Sequence, residues 1–220
     1  MRLGEATWTT IASPILAVPL GSCEQHGPHL PLDTDTRIAC AVADGLAAAE
    51  PRVRVTPAVT ITASGEHAGF PGTLSIGLEV LEQVLVELVR SADWSSGVVL
   101  VNGHGGNRVA VERAVKTLLD EERRVLSWWP HLSGGDAHAG RTETSLLMAI
   151  DRAAVRFDLA VPGVTEPVHD ILGELRSRGV AGVSPTGVLG DPTGATAEEG
   201  HELLDALVQN LVDTVSAWTS

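Results

Sequence analysis

The stretch Gly97-Val98-Val99-Leu100-Val101 is the clearest buried strand in this 220-residue chain, and it leads directly into Asn102-Gly103-His104-Gly105-Gly106-Asn107. A short run of aliphatic, mostly β-branched residues is typical of a strand that is covered on both faces in a parallel sheet. A second run of this kind, Ile15-Leu16-Ala17-Val18-Pro19-Leu20, ends at Gly21. Polar residues follow both strands, which places candidate functional groups at the carboxyl edge of the predicted sheet.

Strand-like runs alternate with helix-like runs along most of the chain. The residues predict two more strands, at 53–61 and 124–128, and helices near 35–49, 77–91, 108–122, 144–150 and 196–218. This alternation predicts an α/β fold, in which one domain over residues 1–220 has a mainly parallel central sheet with helices on both faces. Thr34 or Asp35 is placed to cap the first helix. Residues 161–194 are rich in Gly and Pro, and their pattern predicts no regular element.

The composition restricts the kind of partner. The formal net charge is −13 at pH 7, which argues against nucleic acids and anionic membranes, because both bind cationic surfaces. A small substrate or a peptide is the better expectation. Cys23 and Cys40 are too few for a disulfide framework. The first residues lack the apolar core of a signal peptide, and no uncharged apolar run reaches the ~18 residues of a membrane span, so we expect a cytoplasmic protein.

The segment after the strand of residues 15–20 has the composition of a metal site. Glu24 and His26 are two positions apart, and in an extended segment such residues project to the same side. A carboxylate oxygen and an imidazole nitrogen can therefore converge on one point. Asp35 follows after turns at Gly27-Pro28 and Pro31, which allow it to fold back over that point.

Three polar clusters occupy strand ends: residues 24–35, 102–107 and 136–143. The carboxyl ends of parallel strands meet at one edge of a sheet, so these clusters are expected to form one site. The candidate metal-binding residues are Glu24, His26, Asp35, His104, His138 and Glu143. This mixture of nitrogen and oxygen donors suits Zn²⁺, Fe²⁺ or Mn²⁺ better than Ca²⁺. Asp35 could bridge two ions, because a carboxylate spans the ~3.5–4 Å of a two-metal site.

Other interpretations of these residues remain open. Residues 102–107 could cradle an anion before a helix, but they lack the G-x-G-x-x-G spacing and the lysine of a phosphate-binding loop, which makes nucleotide binding the weaker hypothesis. Cys23 could be a nucleophile, although its position next to Glu24 turns it away from that carboxylate. His29 and His67 either line a substrate pocket or bond to loop backbone. Trp128 or Trp129 forms a pocket wall or packs in the core.

The polar clusters lie within sequence signatures that span nearly the whole chain. The signatures are Gly21-Ser22-x-Glu24-Gln25-His26-Gly27-Pro28-His29, then Asp35, Ser64-x-Glu66-His67-x-x-Phe70-x-Gly72-Thr73, Asn102-Gly103-His104-Gly105-Gly106-Asn107 and His138-Ala139-Gly140-x-x-Glu143-Thr144-Ser145. In these segments the chain resembles the creatininase family of metal-dependent amidohydrolases. The resemblance implies a single creatininase-like metallohydrolase domain, a three-layer α/β/α sandwich, and a ring-like homo-oligomer, commonly a hexamer.

The resemblance also assigns ligands. Carried over by position, the family's metal ligands fall on Glu24, His26, Asp35 and His104. One position departs from the pattern, because creatininase itself has a glutamate ligand two residues after the histidine of its Asn-Gly-His motif and this chain has Gly106 there. Either Glu143 replaces that ligand or only one ion binds tightly. The missing carboxylate also argues against creatinine as the substrate.

Within the family, the chain is most similar to a branch of peptidases that trim a modified precursor peptide. The similarity lies in residues 30–39, 136–145 and 182–193, and it implies cleavage of the peptide bond before a crosslinked C-terminal Val-Tyr unit. The expected reaction is metal-assisted amide hydrolysis with one or two Fe²⁺, Zn²⁺ or Mn²⁺ ions, in which His138 moves the proton or stabilises the oxyanion. Two rival hypotheses are a small cyclic amide or formamide as the substrate, and a catalytically silent metal-binding assembly protein.

Overall fold

The computed structural model describes residues 1–132 and 134–220. Within them, the central sheet has four parallel strands in the order β2-β1-β3-β4, with the bounds β1 Ile15–Leu20, β2 Val53–Val55, β3 Gly97–Asn102 and β4 Val125–Trp128. Strands β1 and β3 lie side by side at the centre of the sheet, where Leu20 pairs with Asn102. Every residue of both strands is buried. The prediction of a mainly parallel sheet is confirmed.

Helices cover both faces of the sheet. Their bounds are α1 Thr34–Ala49, α2 Leu78–Arg90, α3 Arg108–Asp120, α4 Arg141–Asp151, α5 Val168–Val183 and α6 Ala197–Thr219. Leu16 and Val18 pack with α2 and α3, whereas Ile15 and Ala17 pack with α1, α4 and α6. Alternate residues of one strand thus belong to two apolar layers, and the α/β/α sandwich is confirmed. Among the residues described, no helix combines the length and apolar composition that a bilayer crossing requires.

Two boundaries differ from the prediction for physical reasons. Strand β2 ends at Val55 rather than at residue 61, and Pro57, whose ring fixes its φ angle, follows shortly after this end. Beyond Val55, the Thr56 N–H donates to the Ala17 carbonyl and the Val59 N–H donates to the Pro19 carbonyl, each at 2.9 Å. Helix α1 begins at Thr34 and has no side-chain cap, so the capping role expected of Thr34 or Asp35 is wrong. The Asp35 carboxylate instead contacts Ser22, His26 and His104.

Helix α5 lies in the stretch for which the sequence predicts no regular element. Val180 is its one fully buried residue, so the helix has no apolar face packed in the core. Gly179 interrupts it with a backbone conformation of φ 66° and ψ 178°, which side chains with a Cβ rarely adopt. A Cβ at this position would lie 2.9 Å from the Glu66 carbonyl oxygen. The glycine therefore lets α5 pack closely on the loop that carries Glu66 and His67.

Candidate metal centre

The side chains proposed as metal ligands come together at the carboxyl edge of the sheet. Glu24 and His26 follow β1, His104 follows β3, Asp35 lies in the first turn of α1, and Glu143 lies in the first turn of α4. Three overlapping groups have their ligand atoms within 4.8 Å of one another: Glu24, Asp35 and His104; His26, Asp35 and Glu143; and Glu24, His26 and His138. Asp35 belongs to the first two groups, as a carboxylate that bridges two ions would.

Glu24 is fully buried, and within the described part of the chain neither of its carboxylate oxygens has a hydrogen-bond partner. His104 Nε2 lies 3.2 Å from Oε2, and His67 Nε2 lies 3.3 Å from Oε1. Burial raises the pKa of Glu24 to about 8, against the lowering influence of His104. A buried carboxylate without hydrogen bonds is unfavourable. A cation bound at this point would compensate for the lost hydration.

His26 is held so that one ring nitrogen faces the other ligands. Its Nδ1–H donates to the Glu24 backbone carbonyl at 3.1 Å, a contact of the kind that fixes the tautomer of a metal-binding histidine. Its Nε2 lies 3.1 Å from Asp35 Oδ1 and 3.9 Å from Glu143 Oε2. Burial opposes a charge on this ring, but the carboxylates of Asp35, Glu143 and Glu24 raise its pKa to about 9. Nε2 is therefore the atom that His26 offers to a cation.

Asp35 connects the two halves of the centre. Its Oδ1 lies 3.1 Å from His26 Nε2, and its Oδ2 lies 3.1 Å from His104 Nδ1 and accepts a hydrogen bond from Ser22 Oγ at 2.8 Å. Burial alone would raise the pKa of Asp35, but His26 and His104 hold it well below its usual value. The Nε2–H of His104 donates to the Ala63 carbonyl at 3.0 Å. Asp35 is thus ionised, and Nδ1 of His104 is left to share a cation with it.

Glu143 reaches the centre from α4. Its Oε2 lies 3.9 Å from His26 Nε2 and accepts the Ala139 N–H at 2.6 Å. Ala139 is fully buried and has a left-handed backbone conformation with φ 51°, which is uncommon outside glycine. Burial raises the pKa of Glu143 to about 7, against the lowering influence of His26. The fold therefore brings Glu143 into one group with His26 and Asp35.

His138 is buried beside the candidate ligands and turns Nδ1 towards them. Its Nε2–H donates to the Gln25 backbone carbonyl at 2.8 Å, and Nδ1 lies 3.9 Å from Glu24 Oε1. The rings of His26 and His67 have their centroids 4.4 and 4.5 Å from that of His138. Burial, together with His26 and His67, lowers the pKa of His138 well below its usual value. His138 is thus a neutral imidazole with a lone pair on Nδ1, as a proton acceptor requires.

His67 and His29, which the sequence allowed either to line a pocket or to bond to loop backbone, have different surroundings. His67 lines the cavity at the centre, and its Nδ1 accepts a hydrogen bond from Gln25 Nε2 at 2.9 Å. His29 is also buried, but its Nε2 lies 2.9 Å from Thr144 Oγ1 in the packing against α4. Burial lowers the pKa of each ring to about 4. The structure brings His67 to the candidate site and places His29 behind it.

Glu66 and Gln25 also belong to the centre, although the sequence alone predicted no role for them there. Glu66 lines the cavity, and its Oε1 lies 3.4 Å from His104 Nε2. The Gln25 amide Nε2 lies 2.9 Å from His67 Nδ1, 3.1 Å from His138 Nε2 and 3.1 Å from the Gly187 carbonyl oxygen. Both residues lie within the signature segments, which was the signal available in the sequence. The contacts of Gln25 join residues more than 40 positions apart, so only the folded chain shows them.

Gly106 is required by close packing around His104. A Cβ at position 106 would fall on the Glu66 carboxylate and on His104 Nε2, and it would lie 2.6 Å from the Ala63 carbonyl oxygen. Gly106→Ala is therefore expected to displace the His104 ring and weaken Zn²⁺ binding by about 10–100-fold, measured by titration against a competing chelator. Gly105→Ala is the matched control, because a Cβ there meets nothing within 4 Å. Equal Zn²⁺ affinity in the two variants would contradict the assignment of His104 as a ligand.

Two cavities open onto the centre and share His104 and Glu143. The larger has a volume of about 540 Å³ and is bounded on one side by α5, and the smaller has a volume of about 260 Å³. Trp129 lines the smaller cavity, so it is the tryptophan that forms a pocket wall. Trp128 is buried in the core. The candidate centre can therefore be reached from either cavity.

The residues present fit a divalent transition metal. The donor set combines imidazole nitrogens with carboxylate oxygens, and the unpartnered oxygens of Glu24 are aimed into it. Ca²⁺ and Mg²⁺ prefer sets made of oxygen alone, whereas mixed nitrogen and oxygen sets suit Zn²⁺, Fe²⁺ and Mn²⁺. The chemistry of the donors agrees with the sequence-based prediction of the metal class.

Comparison with known proteins identifies relatives over the whole length. The family model described as "Creatininase: Creatinine amidohydrolase" matches residues 4–215. A protein of Mycolicibacterium smegmatis named "Mycofactocin precursor peptide peptidase" is 49% identical over 225 residues, which cover 98% of this chain and 91% of that protein.

Solved structures agree on the fold. A structure titled "Creatininase Mn" has a TM-score of 0.82 at 24% identity and covers 97% of this chain and 96% of its own. A mutant creatininase described as "Zn-Zn type" has a TM-score of 0.83, with the same identity and the same coverage. The same arrangement of sheet and helices therefore occurs in proteins whose titles name manganese or zinc.

Proposed function

We propose a function from one premise: the chain belongs to the creatininase family, whose model covers residues 4–215. This is a family of hydrolases, so the chain is an enzyme that hydrolyses peptide or amide C–N bonds. The observation that carries the proposal is the meeting of the candidate ligands beside the neutral, buried His138. A catalytically silent metal-binding protein would need no proton acceptor at that position.

The substrate that we propose is the modified mycofactocin precursor peptide, cleaved before its crosslinked C-terminal Val-Tyr unit. The relative that is 49% identical over 98% of the chain has the name of that peptidase. The two cavities that share His104 and Glu143 also support a peptide, because cleavage within a chain requires room for the residues before and after the scissile bond. A substrate as small as creatinine needs only one of them.

The metal is expected to be held by five side chains, with Asp35 as the bridge where two ions bind. We assign this role to Glu24, His26, Asp35, His104 and Glu143. Fe²⁺ or Zn²⁺ is the expected metal, and Mn²⁺ also suits these donors. When bound, the divalent metal supplies Lewis acidity that lowers the pKa of a water nucleophile and polarises the carbonyl.

The chain's own residues account for the proton transfers. Nδ1 of His138 accepts the proton of the attacking water, because its Nε2–H is committed to the Gln25 carbonyl. The resulting imidazolium then donates that proton to the leaving amide nitrogen. Gln25 positions His138 through its backbone carbonyl and His67 through its side-chain amide, which keeps both rings fixed during the two transfers. His67 lines the same cavity and is placed to contact the substrate.

A substrate panel tests this function directly. We expect the metal-loaded enzyme to release the C-terminal Val-Tyr-derived unit from the modified precursor peptide, detected by mass spectrometry, and to leave creatinine and a formamidopyrimidine intact. A chelator should stop the release, and added Zn²⁺ or Fe²⁺ should restore it. Turnover of creatinine or the formamidopyrimidine at rates equal to that of the peptide would favour a small cyclic amide or formamide as the substrate instead.

We also propose that the chain forms a homo-oligomer, with a hexamer as the expected state. Large apolar side chains on the surface support assembly: Trp8 is 88% exposed and Leu74 is 52% exposed, and contacts between subunits would cover such groups. The mass measured by analytical ultracentrifugation checks this proposal. A cytoplasmic location, and the absence of nucleic acid and membrane partners, stay predictions from the sequence.

A further inference from the structure

Helix α5 carries an apolar stripe that does not pack in the core. Val168, Leu172 and Leu175 follow one another at intervals of four and three residues, which places them on one face of the helix. Val168 is 47% exposed and Leu172 is 38% exposed. A helix face with this composition normally contacts another apolar surface, so the stripe needs a partner.

The stripe faces the reaction site. Val168, Leu172 and Leu175 line the cavity of about 540 Å³ that also contains Glu24, His104 and His138. The apolar surface is therefore continuous with the candidate metal centre, and a molecule that reacts there would lie against it. Pockets of this size, with an apolar wall and a few polar groups, are typical of ligand sites.

Arg176 adds a positive charge to the same cavity wall. The other arginine of that wall, Arg108, is bound to Glu112 at 2.8 Å, and Arg178 on α5 is bound to Glu174 at 3.2 Å. Arg176 forms no ion pair with any carboxylate in residues 1–132 and 134–220. In a chain of net charge −13, an unpaired guanidinium beside the reaction site is suited to an anionic group of a ligand.

The two cavities differ in size. The two parts of the proposed substrate, before and after the scissile bond, also differ in size. A C-terminal unit of two residues is short, and the smaller cavity of about 260 Å³ is on the Trp129 side of the centre. The remaining peptide is longer and requires the larger cavity on the α5 side. The larger cavity on the α5 side is therefore the better fit to the segment that precedes the scissile bond.

We propose that Val168, Leu172, Leu175 and Arg176, here called the α5 surface, bind the part of the precursor peptide that precedes the scissile bond. An apolar side chain of the peptide lies against the three aliphatic residues, and a carboxylate of the peptide pairs with Arg176. This inference rests on the proposed function, because it names the part of the same substrate that this surface recognises.

Steady-state kinetics with the modified precursor peptide test the α5 surface. Arg176→Gln is expected to raise KM about threefold, since ion pairs at exposed sites are weak, and Leu172→Gln is expected to raise it on the order of fivefold through lost apolar contact. The kcat should stay unchanged in both. Arg178→Gln and Leu119→Gln are the matched controls, because these exposed residues lie outside the cavity lining, and their KM should equal that of the wild type.

A peptide series identifies the charged partner. Replacing the carboxylates of the segment that precedes the scissile bond with amides, one at a time, should raise KM for the wild-type enzyme at one position and have no further effect there in Arg176→Gln. If Arg176→Gln and Leu172→Gln both keep the wild-type KM while the wild type cleaves the peptide, the α5 surface does not bind the peptide, and the proposed function stands. If the wild type releases nothing, the proposed function fails and this inference fails with it. If Leu172→Gln changes the mass of the assembly, the stripe is a contact with a second copy and the proposal is overturned.

Discussion

Replacement of His104 by alanine is expected to remove the bound metal and abolish hydrolysis. His104 Nδ1 lies 3.1 Å from Asp35 Oδ2, and its Nε2 lies 3.2 Å from Glu24 Oε2, so the ring is the nitrogen donor between two buried carboxylates. Without it, those carboxylates repel each other at a site that has lost one of its ligands. Loss of a group that merely supports a ligand costs about 10–100-fold in metal affinity, and loss of the ligand itself should exceed that range.

Metal content and turnover should be measured on the same preparation of His104→Ala. Inductively coupled plasma mass spectrometry gives the metal per subunit, and release of the C-terminal unit from the modified peptide gives the activity. His201→Ala is the control, because His201 lies on α6 and its Nδ1 donates to the Ala197 carbonyl of the same helix at 2.6 Å. Circular dichroism should show that both variants are folded. A His104→Ala enzyme that stays fully active after treatment with a chelator would exclude the proposed mechanism.

The layered fold could be predicted because each strand and most helices show their type in the pattern of apolar residues within their own segment. The aliphatic runs of β1 and β3 are buried along their whole length, and the helices that cover them have an apolar face at regular spacing. Helix α5 gives no such signal, because its apolar residues face a cavity rather than the core and Gly173, Gly179 and Gly182 interrupt its pattern.

The candidate ligands could be located from the sequence because each one follows or begins a regular element. Glu24, His26 and His104 lie directly after strands, and the order of strands in a parallel sheet brings such positions together. The position of Glu66 depends instead on a loop between β2 and α2, and α5 packs closely on that loop where a Cβ at position 179 would lie 2.9 Å from the Glu66 carbonyl oxygen. No spacing within the sequence encodes a contact between residues so far apart.

Replacement of His138 by alanine is expected to separate catalysis from metal binding. His138 lies within reach of both Glu24 and His26, so geometry alone would also allow it to be a ligand. Its Nε2–H is bound to the Gln25 carbonyl at 2.8 Å, and its Nδ1 lies 3.9 Å from Glu24 Oε1. The low pKa of the buried ring keeps Nδ1 free to accept a proton. We therefore expect His138→Ala to keep the metal content of the wild type and to lower kcat by about 10²–10⁴-fold, the usual contribution of a general acid–base group.

The KM for the modified peptide should change little in His138→Ala, because a proton-transfer group acts mainly in the transition state. Imidazole added to the assay should restore part of the lost kcat, since the missing ring leaves a space beside the rings of His26 and His67, whose centroids lie 4.4 and 4.5 Å from that of His138. His131→Ala is the control, because His131 is exposed and should keep the wild-type kcat. Loss of metal from His138→Ala in proportion to its loss of activity would instead make His138 a ligand. The proton transfers would then need another residue of the cavity.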